Sequence, residues 1–403
     1  MCTTSPVPKF CPNPQCQFFD PVKAYDTVWY VRHGKYNTKC RGDILRFRCR
    51  SCGHTCSCQT YSIHYWTHRT IDLKWLFQHL YSGSGLRQIG RFAGVTYRVV
   101  QNRIRRLARN SLWLMSETLE NLQMNEDVAM DGFESFAGSQ YFPNNITFLV
   151  GCSSQFIYGA VHTTFRRRGA MTALQRETRD RLDAIWRPPA HALRNDCSRL
   201  LSDAVPLIAR RCCDQKKAHL YSDEHKTYIQ ALRQVSELKE RMDTNQLIHT
   251  RISSRKARTV SNPLFPVNYV DRQIRKNMGE HVRETLKHGR EVNCQMERMS
   301  IFMAAHNFAT PHRITDRANA ENELRHAEKA GVPTELVHEI GRDFVSTRHL
   351  WSQMKMKCGW MESIWKHEYS TPPSVRSCRE NDPKDSQDRG DCQVNLLSGH
   401  LLA

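Results

Sequence analysis

Between residues 70 and 122 the apolar positions recur at helical spacing. Leu73, Leu76 and Leu80 share one face of a first segment, Leu86, Ile89 and Phe92 one face of a second, and Val99, Val100, Ile104 and Leu107 one face of a third running to about residue 109. Ser82-Gly83-Ser84-Gly85 breaks the first from the second, Gly94 allows a tight turn, and Thr96 can cap the third. Helix, glycine turn, helix predicts a helix-turn-helix. The texture then changes. β-branched and aromatic residues over 127–161, with turn signals at Gly138 and Pro143-Asn144-Asn145, predict strands at 128–136, 146–152 and 156–162. Helical patterns at about 170–185 and 199–211, a short strand at 218–222, a helix from about residue 224 and a mostly helical stretch up to Phe308 follow. That order predicts an α/β class, a mixed sheet covered by helices. Residues 317–369 read as a helical extension, and 370–403, rich in Pro, Ser and mixed charge, as a disordered tail.

Ahead of the helices lies a cysteine-rich segment. Cys11 and Cys16 bracket Pro-Asn-Pro-Gln, and Cys49 and Cys52 lie in Arg-Cys-Arg-Ser-Cys-Gly-His. Two short-spaced pairs joined by a stretch that can form a hairpin, with strands near 29–32 and 44–48, suit one tetrahedral zinc ion. Four protein ligands close the coordination sphere, so the metal is expected to be structural. Cys40, His54, Cys56 and Cys58 lie close enough to replace one of the four. Residues 1–10 carry no basic segment followed by an apolar one, so a cytoplasmic, reducing location is expected, in which the 16 cysteines are not disulfides. Cys212, Cys213 and Cys358 then read as small buried hydrophobes.

Charge narrows the partners. Lys and Arg number 59 against 40 Asp and Glu, a net +19, which favours a phosphate-rich partner, and no apolar run approaches the ~20 residues of a membrane span. On the third helix, Tyr97, Arg98, Gln101 and Asn102 are candidate base readers, with Arg103, Arg106 and Arg109 candidate phosphate contacts. Arg46, Arg48 and Arg50 are the equivalent candidates on the ribbon.

Three acids stand out by their surroundings. Asp131 interrupts a strand, where an unpartnered carboxylate is costly; Asp223 ends a short strand, where functional groups project into a crevice; Glu297 flanks a stripe of Met296, Met299 and Met303. Converging, they would make an oxygen-rich site for two Mg²⁺ or Mn²⁺ ions. The order cysteine pair, cysteine pair, helix-turn-helix, Met130-Asp131-Gly132-Phe133, Tyr221-Ser222-Asp223-Glu224-His225-Lys226-Thr227-Tyr228 and Asn293-Cys294-Gln295-Met296-Glu297-Arg298 resembles bacterial insertion-sequence transposases of the DDE type, over about residues 10–310. The resemblance implies a zinc ribbon (8–60), a helix-turn-helix domain (68–112) and a ribonuclease H-like catalytic domain (124–312). It further implies cleavage and strand transfer at terminal inverted repeats and target DNA, by a homodimer or larger assembly, with Arg298 assisting near the phosphate. A long gap separates Asp223 from Glu297, with a basic stretch at 251–258, so Glu284 and Glu291 remain alternative third acids; residues 262–269 read as a loop near DNA. An inactive DNA-binding regulator and a structure-selective nuclease are the rival readings.

Overall fold

The computed structural model describes residues 8–25, 27–212, 216–282, 287–313, 323–349 and 358–375. Cys213, Glu284 and most of the tail expected at 370–403 lie outside the described residues.

A three-stranded antiparallel sheet, β1 (Tyr30–Thr38), β2 (Gly42–Cys49) and β3 (Thr55–Ser57), follows a short helix α1 (Pro21–Tyr25). Its small core gathers Phe10, Trp29, Ile44, Phe47 and Tyr61 with buried cysteines, and Tyr61 donates its hydroxyl to the Phe10 carbonyl. The helical segment follows as α2 (Leu73–Tyr81), α3 (Leu86–Phe92) and α4 (Tyr97–Asn121). Asp72 caps α2 by accepting the Lys74 and Trp75 amides, and Gly94, at φ +62°, makes the turn into α4. Thr96 offers α4 no side-chain cap, and Phe92, expected inside, is 60 % exposed. The third helix does not stop near residue 109. Leu112, Leu114, Met115 and Leu119 continue its buried positions to give 25 residues, so one helix runs from the helix-turn-helix into the main core.

That core is built on five strands: β4 (Val128–Phe136), β5 (Pro143–Gly151), β6 (Ile157–Thr164), β7 (Ala218–Ser222) and β8 (Leu247–Arg251). Between them run α5 (Ala173–Ile185), α6 (Ala192–Arg211), α7 (Lys226–Gln234) and α8 (Ser236–Asp243). The order across the sheet is β6-β5-β4-β7-β8, antiparallel from β4 through β6 and parallel from β4 to β7 and β8. One face carries α9 (Phe265–Asn277) and α10 (Val292–Phe308); the other carries α6. Sandwiched this way, β6 is buried at every position instead of alternating.

Beyond come α11 (His326–Lys329), α12 (Thr334–Asp343) and α13 (Gly359–Trp365), so the described part of the expected extension is helical in three short pieces. It belongs to the core. Trp360 is buried against Gly159, and Asn110 of α4 donates to the carbonyls of Phe344 and Thr347. Ser62 pairs with Thr347, tying this return segment to the chain just past the ribbon. Among the described residues, no helix is long and apolar enough to cross a membrane.

The turn between β5 and β6 is held from two sides. Glu126 accepts the Ser153 and Ser154 amides and the Tyr158 hydroxyl, while His306, His312 and His326 each meet a carbonyl of residues 153–155. His306 and His326 stack at 4.0 Å, and burial lowers their pKa to about 4 and about 2. Both are neutral when folded and protonate near 6.5 when unfolded, so the stability they hold is complete above that value and is lost as pH falls. The half-buried Asp131 and Asp271, with raised pKa values, act in the opposite sense. We expect the urea midpoint to drop between pH 6.5 and 4, each histidine contributing up to about 1.4 kcal/mol per pH unit. The His306→Asn/His326→Asn protein should show a shallower decline; equal slopes would contradict this assignment.

Candidate functional site

In the ribbon, two turns present sulfur atoms to one point. Cys16 N–H donates to the Asn13 carbonyl, and Gly53 N–H donates to the Cys49 carbonyl. Cys11 and Cys52 Sγ lie 3.6 Å apart, Cys16 and Cys49 Sγ 3.7 Å, and all four sulfurs fall within 4.8 Å of one another. Zn–S bonds of about 2.3 Å place tetrahedral sulfurs about 3.8 Å apart, so the four residues can hold a zinc ion. Burial pushes the Cys52 thiol up, but hydrogen bonds from the His54 amide, the Asn13 side chain and the Cys11 and Cys16 thiols together outweigh it and bring the pKa down to about 7. Of the alternatives, Cys40 turns to the Thr67 carbonyl, Cys56 and Cys58 fill the ribbon core, and His54 is exposed.

The helix-turn-helix presents fewer free groups than its helical wheel implies. Tyr97, Arg98 and Asn102 are exposed at the start of α4. Arg103 is not outward: it is buried, donating to the Arg69 carbonyl and to Asn102 Oδ1. Arg106 reaches the Ile63 carbonyl, and Arg109 lies 4.2 Å from the Trp365 ring. Gln101 donates to Glu297 Oε2 at 2.8 Å. These four side chains hold α4 onto its surroundings. On the ribbon, Arg48 and Arg50 are exposed and Arg46 is half-buried.

The carboxylates divide into two places. The parallel register pairs Met130 with Ser222, so Asp131 and Asp223 follow side by side. Asp131 accepts the Gly132 amide at 2.8 Å, Asp223 accepts the His225 amide at 2.9 Å, and an Arg258 guanidinium nitrogen lies 3.9 Å from Asp131. Gly132 leaves room for the Asn145 side chain, whose Nδ2 would lie 1.9 Å from a Cβ at this position and would have to move. Burial raises the Asp131 pKa to about 6, and the Asp223 charge adds to it.

Glu297 is not with them. It is buried between α10 and α4, bonded to Gln101 and to His367 Nε2 at 2.8 Å, with Arg105 at 3.4 Å. The physical reason is the packing of α10, whose Glu297 edge meets α4 rather than the β4–β7 strand ends. Arg298 is committed to Glu280 at 2.5 Å, and Glu291 caps α10 through the Asn293 and Cys294 amides. All three side chains are therefore engaged away from Asp131.

A different acid accompanies the pair. Asp271 lies on α9, the first helix after β8, which crosses β4 and β5. One turn later Arg275 covers Phe133 at 4.6 Å, and Phe133 is two positions beyond Asp131 on the same face of β4, so Asp271 is brought over Asp131. Burial, and then the Asp131 charge, raise its pKa to about 7 against Arg275 and Arg258. Its Oδ1 is buried with no hydrogen-bond partner. A signal for it exists in the sequence: Val267, Val270 and Ile274 form the buried stripe of α9, and Asp271 falls on it. Among the described residues, only the four cysteines bring three or more ligand atoms within 4.8 Å.

The chain matches no protein-family model and no curated protein.

Purified protein is expected to carry one zinc per chain by elemental analysis, and Cys49→Ser to lose it, while Cys40→Ser and Cys58→Ser retain it. Retention of zinc by Cys49→Ser would displace the ligand set from Cys11, Cys16, Cys49 and Cys52.

Proposed function

We propose that this chain is a DNA transposase with a ribonuclease H-like core, acting through Asp131, Asp223 and Asp271. The observation that carries the reading is the neighbouring placement of Asp131 and Asp223 at the paired ends of parallel strands, with a third carboxylate, the half-buried Asp271, over them. The strand order and directions of the five-stranded sheet fit that fold, and the first helix after the fifth strand supplies the third acid. Glu297 is replaced in this role, and Arg298 has no part in it.

The donor types suit a hard divalent cation, which would have to draw the three carboxylates closer than the 4.8 Å spacing they do not reach without it. Carboxylates pushed upward in pKa, one with an unpartnered buried oxygen, lack the positive charge that oxygen-coordinated metals provide. Asp131, Asp223 and Asp271 would hold Mg²⁺ or Mn²⁺, which when bound supplies activation of the attacking hydroxyl and charge stabilisation on the leaving oxygen. Gly132 fixes one Asp131 oxygen through its amide, leaving the other directed to Arg258. Arg258, in the basic stretch following β8, binds the phosphate that enters between them. The zinc ribbon and the exposed Tyr97, Arg98 and Asn102 bind the element's terminal repeats, and synapsis of two ends calls for a dimer or larger assembly.

The test is strand joining on end-sequence oligonucleotides with Mg²⁺ or Mn²⁺. Asp131→Asn, Asp223→Asn and Asp271→Asn should each reduce joining by more than about 100-fold, above the 10- to 100-fold typical of outer-shell partners, while keeping DNA affinity. Glu297→Gln should keep joining within about tenfold. Undiminished joining by Asp271→Asn would remove it from the site. Binding without cleavage by the wild type would favour a regulator, and cleavage without joining a nuclease.

A further inference from the structure

A groove of about 900 Å³ opens between the ribbon sheet and the segment that leads into α2. Its walls include Lys39, Arg41, Arg46 and Arg69, and no carboxylate lines it among the described residues. Trp66 stands at its rim, 77 % exposed, with its backbone in the left-handed region at φ +55°. A turn holds it there: Tyr65 N–H donates to the Ser62 carbonyl and Thr67 N–H to the His64 carbonyl. An exposed indole in an unfavourable backbone conformation marks a position fixed by its surroundings for contact.

Behind the groove the positive charge is concentrated and unneutralised. Arg41 is held by Gln59 Oε1, the His64 carbonyl and Thr67 Oγ1; Arg103 by the Arg69 carbonyl; Arg106 by the Ile63 carbonyl; Arg348 by the Thr60 carbonyl. Every one of these acceptors is neutral. Burial, and then Arg103, Arg348, Arg109 and Arg41, lower the Arg106 pKa to about 10, and no acid opposes them. Burial, and then Arg41, Arg103 and Arg106, outweigh Asp72 and keep His64 uncharged, with a pKa of about 4. Guanidinium groups gathered on neutral acceptors are stabilised by an external polyanion.

We propose that this groove binds a single DNA strand, with phosphates on Lys39, Arg46 and Arg69 and an unpaired base stacked on Trp66. A cationic channel combined with an exposed aromatic platform is the arrangement that holds single strands without reading sequence, whereas bases inside a duplex offer no free face to an indole. The inference rests on the DNA-binding reading above and adds a second site, separate from Tyr97 and Arg98. It places unpaired nucleotides next to the duplex read by α4, since Arg69 joins the groove to Arg103 of that helix.

The experiment measures affinity by fluorescence anisotropy for two probes, labelled oligothymidylate and a labelled duplex of the element end, with zinc content and circular dichroism confirming each variant's fold. Trp66→Ala should weaken oligothymidylate binding about tenfold or more, and Trp66→Phe should retain most of it. The Lys39→Ala/Arg46→Ala/Arg69→Ala protein should lower the slope of log affinity against log salt by about 2, at roughly 0.7 for each phosphate no longer neutralised. Arg98→Ala should weaken the duplex and leave oligothymidylate unchanged. Oligothymidylate binding that is equal in wild type, Trp66→Ala and the triple variant overturns the groove. Wild-type binding of the duplex alone overturns the groove and leaves the DNA-binding reading standing; binding of neither probe overturns both.

Discussion

The parallel pairing of β4 with β7 sets the position of everything chemically unusual in the core. Because Met130 lies opposite Ser222, the next residue of each strand is an aspartate, and the two carboxylates must share one sheet edge. Neighbouring like charges cost stability unless something offsets them, and the offsets in the chain are modest: the Gly132 amide, the His225 amide and Arg258 at the limit of an ion pair. Asp271 arrives over the same edge and makes the charge balance worse. A fold selected for stability alone would fill these positions with apolar side chains.

The second constraint is α4. Its first turns expose Tyr97, Arg98 and Asn102, its middle bonds to Glu297 through Gln101, and its last turns lie in the main core. A continuous helix cannot bend freely, so the helix-turn-helix and the five-stranded core are mechanically one body. The return segment reinforces this, since Asn110 and Ser62 both bond to residues 344–347. Glu297 therefore has a structural role, because a buried carboxylate shared among Gln101, Arg105 and His367 fastens three parts of the chain together.

Much of this is legible in the sequence, and the departures have physical causes. The neighbouring placement of Asp131 and Asp223 is legible only from the order of strand, strand and helix, since a single acid is more often a cap, a surface charge or a salt-bridge member. The two cysteine pairs can be found from spacing, but spacing leaves Cys40, His54, Cys56 and Cys58 open, and only the fold gathers the sulfurs of Cys11, Cys16, Cys49 and Cys52. Glu297 is misleading because α10 is buried almost all round, so its methionine stripe does not define which side faces the sheet. Asp271 is hidden although it lies on the apolar stripe of α9, because the preceding Asn-Pro-Leu-Phe-Pro reads as loop. Arg103 and Arg106 are expected in solvent because a helical wheel places Cβ atoms, whereas long side chains fold back onto carbonyls the wheel does not contain. The length of α4 beyond residue 109 is concealed because the basic pattern stops there while no helix breaker follows.

Whether the carboxylates of this core gather a divalent metal, and which ones, decides whether the core is catalytic in the way proposed. The most direct measurement is the anomalous scattering of crystals of the protein soaked in Mn²⁺. Ordered manganese is expected within about 2.2 Å of carboxylate oxygens of Asp131, Asp223 and Asp271, with Glu297 still bonded to Gln101 and His367. Manganese bound by Glu297, or none beside Asp131 and Asp223 at saturating concentration, would contradict it.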